Sequence, residues 1–221
     1  MSDFHSYAHS HLAYFRQHGQ KAIYKKGQLL VRRQEQSPWM FFIENGFVKM
    51  MFTNETGEER VLGFGLPGMT IAQSGSFYTL PHTELEYEAH TECTVWRVPR
   101  EQFIKDMASD PALMADWHQI VLQNQNMLIE RILYLGEKQP RKRVIAWLLG
   151  VARYYSVKQP NGEFLIEIPM TQDLMASFVH LSRESTNRII GQLRAAGLIY
   201  LDNRYVTVPD AGRLRQQLYQ S

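Results

Sequence analysis

Residues Thr171 to Leu193, TQDLMASFVHLSRESTNRIIGQL, constrain the fold more than any other stretch, because they read as two short helices joined by a tight turn. At about 100° per residue, Arg183, Glu184, Asn187 and Arg188 fall within one arc of roughly 140° on the second helix. Thr186, Ile189, Ile190 and Leu193 share a separate arc on the other side. Thr171 is placed to cap the first helix, Ser182 the second, and Gly197 sits where a helix stops. Upstream, Arg141 to Tyr155 reads as a helix with core positions Val144, Ile145, Leu148, Leu149 and Ala152, followed by a loop, SVKQPNG, and a short strand, EFLIEIPM. Downstream, LIYLDNRYVTV reads as two strands around Asp202-Asn203-Arg204. A hairpin beside a helix-turn-helix is a winged helix.

The rest of the chain has a different texture. Residues 1 to 20 are polar, aromatic and His-rich, with no period long enough to decide between a helix and a loose arm. From Lys26 to about Val98 come short β-like runs, LLV, MFFI, FVKMMF, RVLGFGL and TVWRV. Gly46, Gly57 and Gly68 recur at 11-residue spacing beside them, and NETG at Asn54 to Gly57 has turn chemistry. That rhythm predicts an antiparallel β-roll or jelly roll. Asp110-Pro111 opens a long helical segment reaching Glu137. Within it Met114, Trp117, Val121, Asn124, Leu128, Arg131 and Leu135 recur at alternating spacings of 3 and 4, a heptad-like seam suited to self-dimerisation. A helix packed on its own β domain gives the same pattern. GEKQP, Gly136 to Pro140, is the expected hinge. The fold class is therefore α+β, with expected domains at 1–108 (β-roll), 109–138 (dimerisation helix and hinge) and 139–221 (winged helix).

Composition excludes several classes. One cysteine, Cys93, rules out an intrachain disulfide and an iron-sulfur cluster ligated by the chain's thiolates. A core position is its expected place. With no secretory leader and no run of 18 apolar residues, the expectation is a soluble cytoplasmic protein without membrane association. Net charge is +2, yet residues 1–136 hold 12 Lys/Arg against 15 Asp/Glu, and 137–221 hold 12 against 7. The +5 C-terminal part suits a polyanion, since phosphate neutralisation dominates nucleic-acid affinity; a solvated surface accounts for the charge equally.

The outer arc adds the chemistry that charge alone lacks. Arginine forks onto guanine O6 and N7, which suits Arg183 and Arg188, and Glu184 can accept from cytosine N4. Asn187 suits either adenine or phosphate. A helix that only bound phosphates would gain nothing from a carboxylate, although Glu184 also favours a helix N-terminus electrostatically.

From Lys21 to Val208 the chain resembles the CRP/FNR family of bacterial transcription regulators, the cyclic-AMP receptor protein and its relatives. KKGQLLVRRQEQ, FFIENGFVKMMFTNETGEERVLGFGLPG and LSRESTNRIIGQLRAAGLI carry the resemblance. The last matches the family's SRE-x3-R recognition helix at Ser182, Arg183, Glu184 and Arg188. The resemblance implies a homodimer that binds an inverted repeat in double-stranded DNA and works with RNA polymerase, with no enzymatic activity. Thr171, Ser182, Arg183, Glu184, Asn187 and Arg188 form the expected DNA-contacting set, and their pattern implies a TGTGA-like half-site rather than the TTGA-like core of the FNR branch. His180 departs from the family, where glycine usually makes this turn; histidine tolerates positive φ better than most residues.

The family's cyclic-nucleotide cassette departs further. Its ribose-binding glutamate and its phosphate-binding Arg-Ser pair align with Gln73, Thr83 and Glu84. A buried phosphodiester beside Glu84 without its counter-ion is strongly unfavourable, and the adenine-reading hydroxyls are replaced near Met127 to Ile129. Cyclic AMP is therefore not the expected effector. Gln73, Thr83, Glu84, Phe64, Met127 and Leu128 mark the expected pocket for a different small molecule, with Met50, Met51, Phe52, Tyr78 and Tyr87 as further apolar candidates; no effector at all fits as well. A haem-dependent sensor using His82 or His90 is the alternative within the family. His5, His9 and His11 have chelating spacing, but solvated side chains are the plainer reading, and no metal site is expected. A jelly-roll metal enzyme is the remote alternative, disfavoured because the β runs hold no histidine. Activation and repression are not distinguished, and the loop from Tyr155 to Gly162 lies where some relatives contact RNA polymerase.

Overall fold

A computed structural model describes residues 4–35, 37–54, 57, 59–71 and 85–219. The chain divides into two compact units, 1–124 and 125–221. In the first, α1 (Phe4–His18) precedes, among the described residues, strands β1 (Gln20–Tyr24), β2 (Leu29–Val31), β3 (Trp39–Asn45), β4 (Val48–Thr53), β5 (Glu59–Gly65), β6 (Thr70–Ile71), β7 (Glu86–Ala89) and β8 (Cys93–Pro99). Helices α2 (Arg100–Ser109) and α3 (Pro111–Leu135) follow. The strands form two antiparallel sheets, ordered β1-β8-β3-β6 and β2-β7-β4-β5. Val31, Phe41, Ile43, Val48, Tyr87, Ala89, Cys93 and Val95 fill the space between them. Gly46 makes the β3–β4 turn at φ +86°, and a Cβ there would collide with the carbonyl oxygen of Glu92. Cys93 is a core residue, as its sequence context suggests, and burial pushes its thiol pKa up.

Residues 1 to 20, ambiguous in sequence, contain a helix rather than a loose arm. It packs on the outer face of the first sheet, where Phe15, Met40, Phe42, Val98, Phe103, Met107, Leu113 and Trp117 make a second core. His11, expected to be solvated, is fully buried and stacks on Trp117 at 6.1 Å. Burial lowers its pKa to about 4, against a weaker opposing pull from Asp116. Because the unfolded chain takes up this proton near pH 6.5, the contribution of neutral His11 is intact above that pH and is lost as pH falls towards 4. The full difference is roughly 3 kcal/mol. His11→Phe is therefore expected to flatten the fall in melting temperature between pH 6.5 and 4.5, read by circular dichroism; an unchanged slope contradicts this assignment.

The second unit comprises the C-terminal half of α3, α4 (Pro140–Tyr155), β9 (Ser156–Lys158), β10 (Phe164–Ile166), α5 (Gln172–Val179), α6 (Arg183–Ala195), β11 (Tyr200–Asp202), β12 (Tyr205–Val208) and α7 (Ala211–Gln216). Its sheet is ordered β11-β12-β10-β9. Strand β9 occupies part of the expected loop, because a turn closed by Gly162 N–H to Gln159 C=O folds it back on β10. Helix α4 buries Val144, Ile145, Leu148 and Ala152 as expected, leaves Leu149 half-buried, and also buries Trp147, whose ring lies 5.9 Å from that of Phe178. Among the described residues, no helix is long and apolar enough to cross a membrane.

The expected seam on α3 is really two stripes. Trp117 is 6 % and Arg131 8 % exposed, each covered by its own chain, so neither belongs to a surface for a second copy. Met114, Val121 and Leu128 do face solvent, together with Leu122, Ile129, Ile132 and Leu133. Asn124 and Leu135 are half-buried. One residue is about 100° on a helix, so a seam read only from spacings of 3 and 4 mixed an inward stripe with an outward one.

Candidate nucleic-acid interface

The helix-turn-helix is built by local chemistry. Thr171 Oγ1 accepts from Leu174 N–H at 3.1 Å at the start of α5, and Ser182 Oγ accepts from Ser185 N–H at 3.1 Å at the start of α6. Each cap stabilises its helix by about 1 kcal/mol. Between them His180 adopts the left-handed conformation, φ 51° and ψ 49°. Beyond α6, Gly197 takes φ +64° and donates to Arg194 C=O, while Leu198 N–H reaches Leu193 C=O. Thr186, Ile189, Ile190 and Leu193 are buried as the backing of α6.

Arg183, Glu184 and Arg188 stand exposed on the opposite side, with Asn187 half-buried between them. All four are thus brought onto one face. Arg183 and Asn187 converge on Gln172 at the start of α5: Asn187 Nδ2 donates to its Oε1 at 2.9 Å, and Arg183 Nη2 at 3.4 Å. Asp173 Oδ1 lies 3.4 Å from Arg183 Nη1. No sequence signal points to Gln172, since helix periodicity says nothing of how two helices face each other.

The turn itself is held from behind. Arg131 of α3 lies over the Phe178 ring at 5.5 Å, donates to Tyr134 Oη at 3.1 Å and places Nη2 3.5 Å from His180 Nε2, which accepts when unprotonated. Burial pushes the Tyr134 hydroxyl up to about 12, against the opposing effect of Arg131, so it accepts as a neutral phenol. Arg143 of α4 donates through Nε and Nη2 to Glu137 C=O and through Nη1 to Val179 C=O. Arg143 thus ties Glu137, within the Gly136 to Pro140 segment expected as the hinge, to the last turn of α5. Glu130 adds a contact to Arg153 at 2.7 Å and accepts from Tyr154 at 3.1 Å.

The expected effector pocket is only partly visible. Gln73, Thr83 and Glu84 lie outside the described residues, as do Tyr78 and His82. Phe64 is buried, and its ring packs 5.0 Å from that of His90. Met127 is half-buried and Leu128 exposed. Among the described residues, no group of three or more His, Cys, Asp or Glu side chains is placed to hold a metal ion.

Two family models match the chain in sequence. Residues 21–110 match the cyclic nucleotide-binding domain, and residues 142–217 the Crp-like helix-turn-helix domain. The transcriptional activator protein FnrL of Cereibacter sphaeroides is 24% identical over 198 residues, covering 88% of this chain and 78% of the relative. The chain belongs to the CRP/FNR family. A second CRP/FNR relative, the nitrogen fixation regulation protein FixK of Azorhizobium caulinodans, is 24% identical over 200 residues, covering 90% of this chain and 79% of that one. The solved structure of FixK2 from Bradyrhizobium japonicum shares the CRP/FNR fold, with a TM-score of 0.76, 21% identity and coverage of 90% and 96% of the two chains. The chain is thus a CRP/FNR-type transcription regulator with a helix-turn-helix DNA-binding domain.

Proposed function

We propose that this protein is a homodimeric, sequence-specific regulator whose α6 enters the major groove at TGTGA-like half-sites of an inverted repeat. The observation that carries this reading is the row of exposed Arg183, Glu184 and Arg188 with half-buried Asn187 between them, on a capped, apolar-backed helix. Two arginines and a carboxylate match the guanine and cytosine edges, and the family resemblance at Arg183 favours TGTGA over a TTGA-like core. Two copies joined through the exposed apolar face of α3 would set half-sites about one helical turn apart, 10 to 10.5 bp. RNA polymerase is the protein partner of this reading, and the cytoplasm its place. The effector is a small molecule other than cyclic AMP, because Thr83 and Glu84 replace the Arg-Ser pair that holds the cyclic phosphate. Its binding shifts the population between two arrangements of the winged helices.

Arg188→Ala tests the base assignment. On TGTGA-N6-TCACA and its symmetrical guanine variants, the alanine protein is expected to lose roughly tenfold or more of the preference at the half-site guanine. Arg188→Lys does not restore it, since an ammonium lacks the bidentate fork. Mobility shifts give the ratio, and an unchanged guanine preference sinks the assignment.

A further inference from the structure

Gln172 lies outside the expected set of DNA contacts, yet it is where two members of that set meet. Its Oε1 accepts from both Asn187 Nδ2 and Arg183 Nη2, at 2.9 and 3.4 Å, and the adjoining Asp173 takes up the other terminal nitrogen of Arg183. Gln172 is the first residue of α5, directly after the Thr171 cap, so these acceptors stand on a fixed helix end rather than on a loop. The protons balance. Each terminal nitrogen of Arg183 carries two, leaving one on each for a guanine edge. Asn187 keeps one amide proton and its Oδ1, which is the pattern that pairs with adenine. Two long or flippable side chains are thereby held in one joint geometry before DNA arrives, which lowers the ordering they undergo on binding.

We propose that Gln172 is a specificity-determining residue that positions Arg183 and Asn187 as one reading unit. This rests on the proposed reading of DNA by α6 and deepens it. Gln172 supplies selectivity through its neighbours, so its removal changes which bases are preferred rather than how tightly DNA is held.

The test uses full-length wild type, Gln172→Ala, Arg183→Ala and the double variant. Wild type first selects a site from randomised inverted repeats, and fluorescence anisotropy then compares that site, its symmetrical single-base variants and unrelated DNA. Gln172→Ala is expected to lower the preference at the bases read by Arg183 and Asn187 about tenfold. Affinity for unrelated DNA and the preference at the base read by Arg188 stay unchanged. In the Arg183→Ala background the Gln172 change has no further effect at the base that Arg183 reads. An equal loss on every sequence, with a shallower salt dependence, would make Gln172 a phosphate contact and overturn the proposal. Unchanged discrimination overturns it too. Selection of a site unlike TGTGA overturns the half-site and leaves the Gln172 comparison standing, whereas a wild type without any preference overturns both.

Discussion

Ile132→Asp combined with Leu133→Asp is expected to convert the protein to a monomer and to weaken binding to an inverted repeat by roughly 100-fold or more. Met114, Val121, Leu122, Leu128, Ile129, Ile132 and Leu133 are 36 to 69 % exposed in the single chain, with Ile132 and Leu133 at the top of that range. Burying such side chains stabilises an association by about 1.5 to 3 kcal/mol each. A carboxylate in the same place must be desolvated without a counter-charge, which reverses the sign. Loss of the dimer removes the avidity of two recognition helices on one site. Neither position contributes to the core of the protomer, so the thermal melt of the monomer should show intact domains. Sedimentation equilibrium reads the association state, and a variant that remains dimeric contradicts this use of α3.

Arg131→Ala is expected to destabilise the second unit by about 2 to 3 kcal/mol and to weaken DNA binding at least tenfold. Arg131 is a nearly buried cation, stacked on Phe178 and bonded to Tyr134, with His180 Nε2 beside it. Its removal takes away a desolvated cation–π contact and the donor that Tyr134 uses, each worth about 1 to 2 kcal/mol. Because His180 and Phe178 sit at the end of α5 and in the turn, the loss reaches the helix that presents Arg183. Arg131→Met separates the parts: the stem still covers Phe178, but charge and donors go. Recovery of about half the stability with methionine is the expected result, measured by chemical denaturation. Wild-type stability in both variants contradicts this role of Arg131.

Local chemistry was legible in the sequence, and relations between elements were not. Thr171, Ser182 and Gly197 each act within a few residues of chain, so cap and stop positions followed directly from residue type, whereas the turn at His180 followed from the family resemblance. The two faces of α6 followed from one period. Helix α3 resisted the same treatment because it carries apolar residues on two adjoining stripes, and Trp117 and Arg131 are distinguished from Met114 and Leu128 only by what covers them. His11 illustrates a similar limit: a histidine in a polar stretch becomes core through Phe103 and Trp117, both distant in the sequence. The run RVLGFGL around Phe64 is nearly all small or apolar, so alternation offers no contrast from which to assign faces. Gln172 was invisible because its partners lie across a turn, on another helix.

Base reading by α6 is tested by the affinity of the full-length protein for TGTGA-N6-TCACA against a scrambled duplex of the same composition. At one salt concentration near physiological, one dimer is expected to bind per duplex, with a preference of roughly a thousandfold or more for the inverted repeat. Equal affinity for the two duplexes would contradict it, leaving α6 a helix that holds DNA by charge alone.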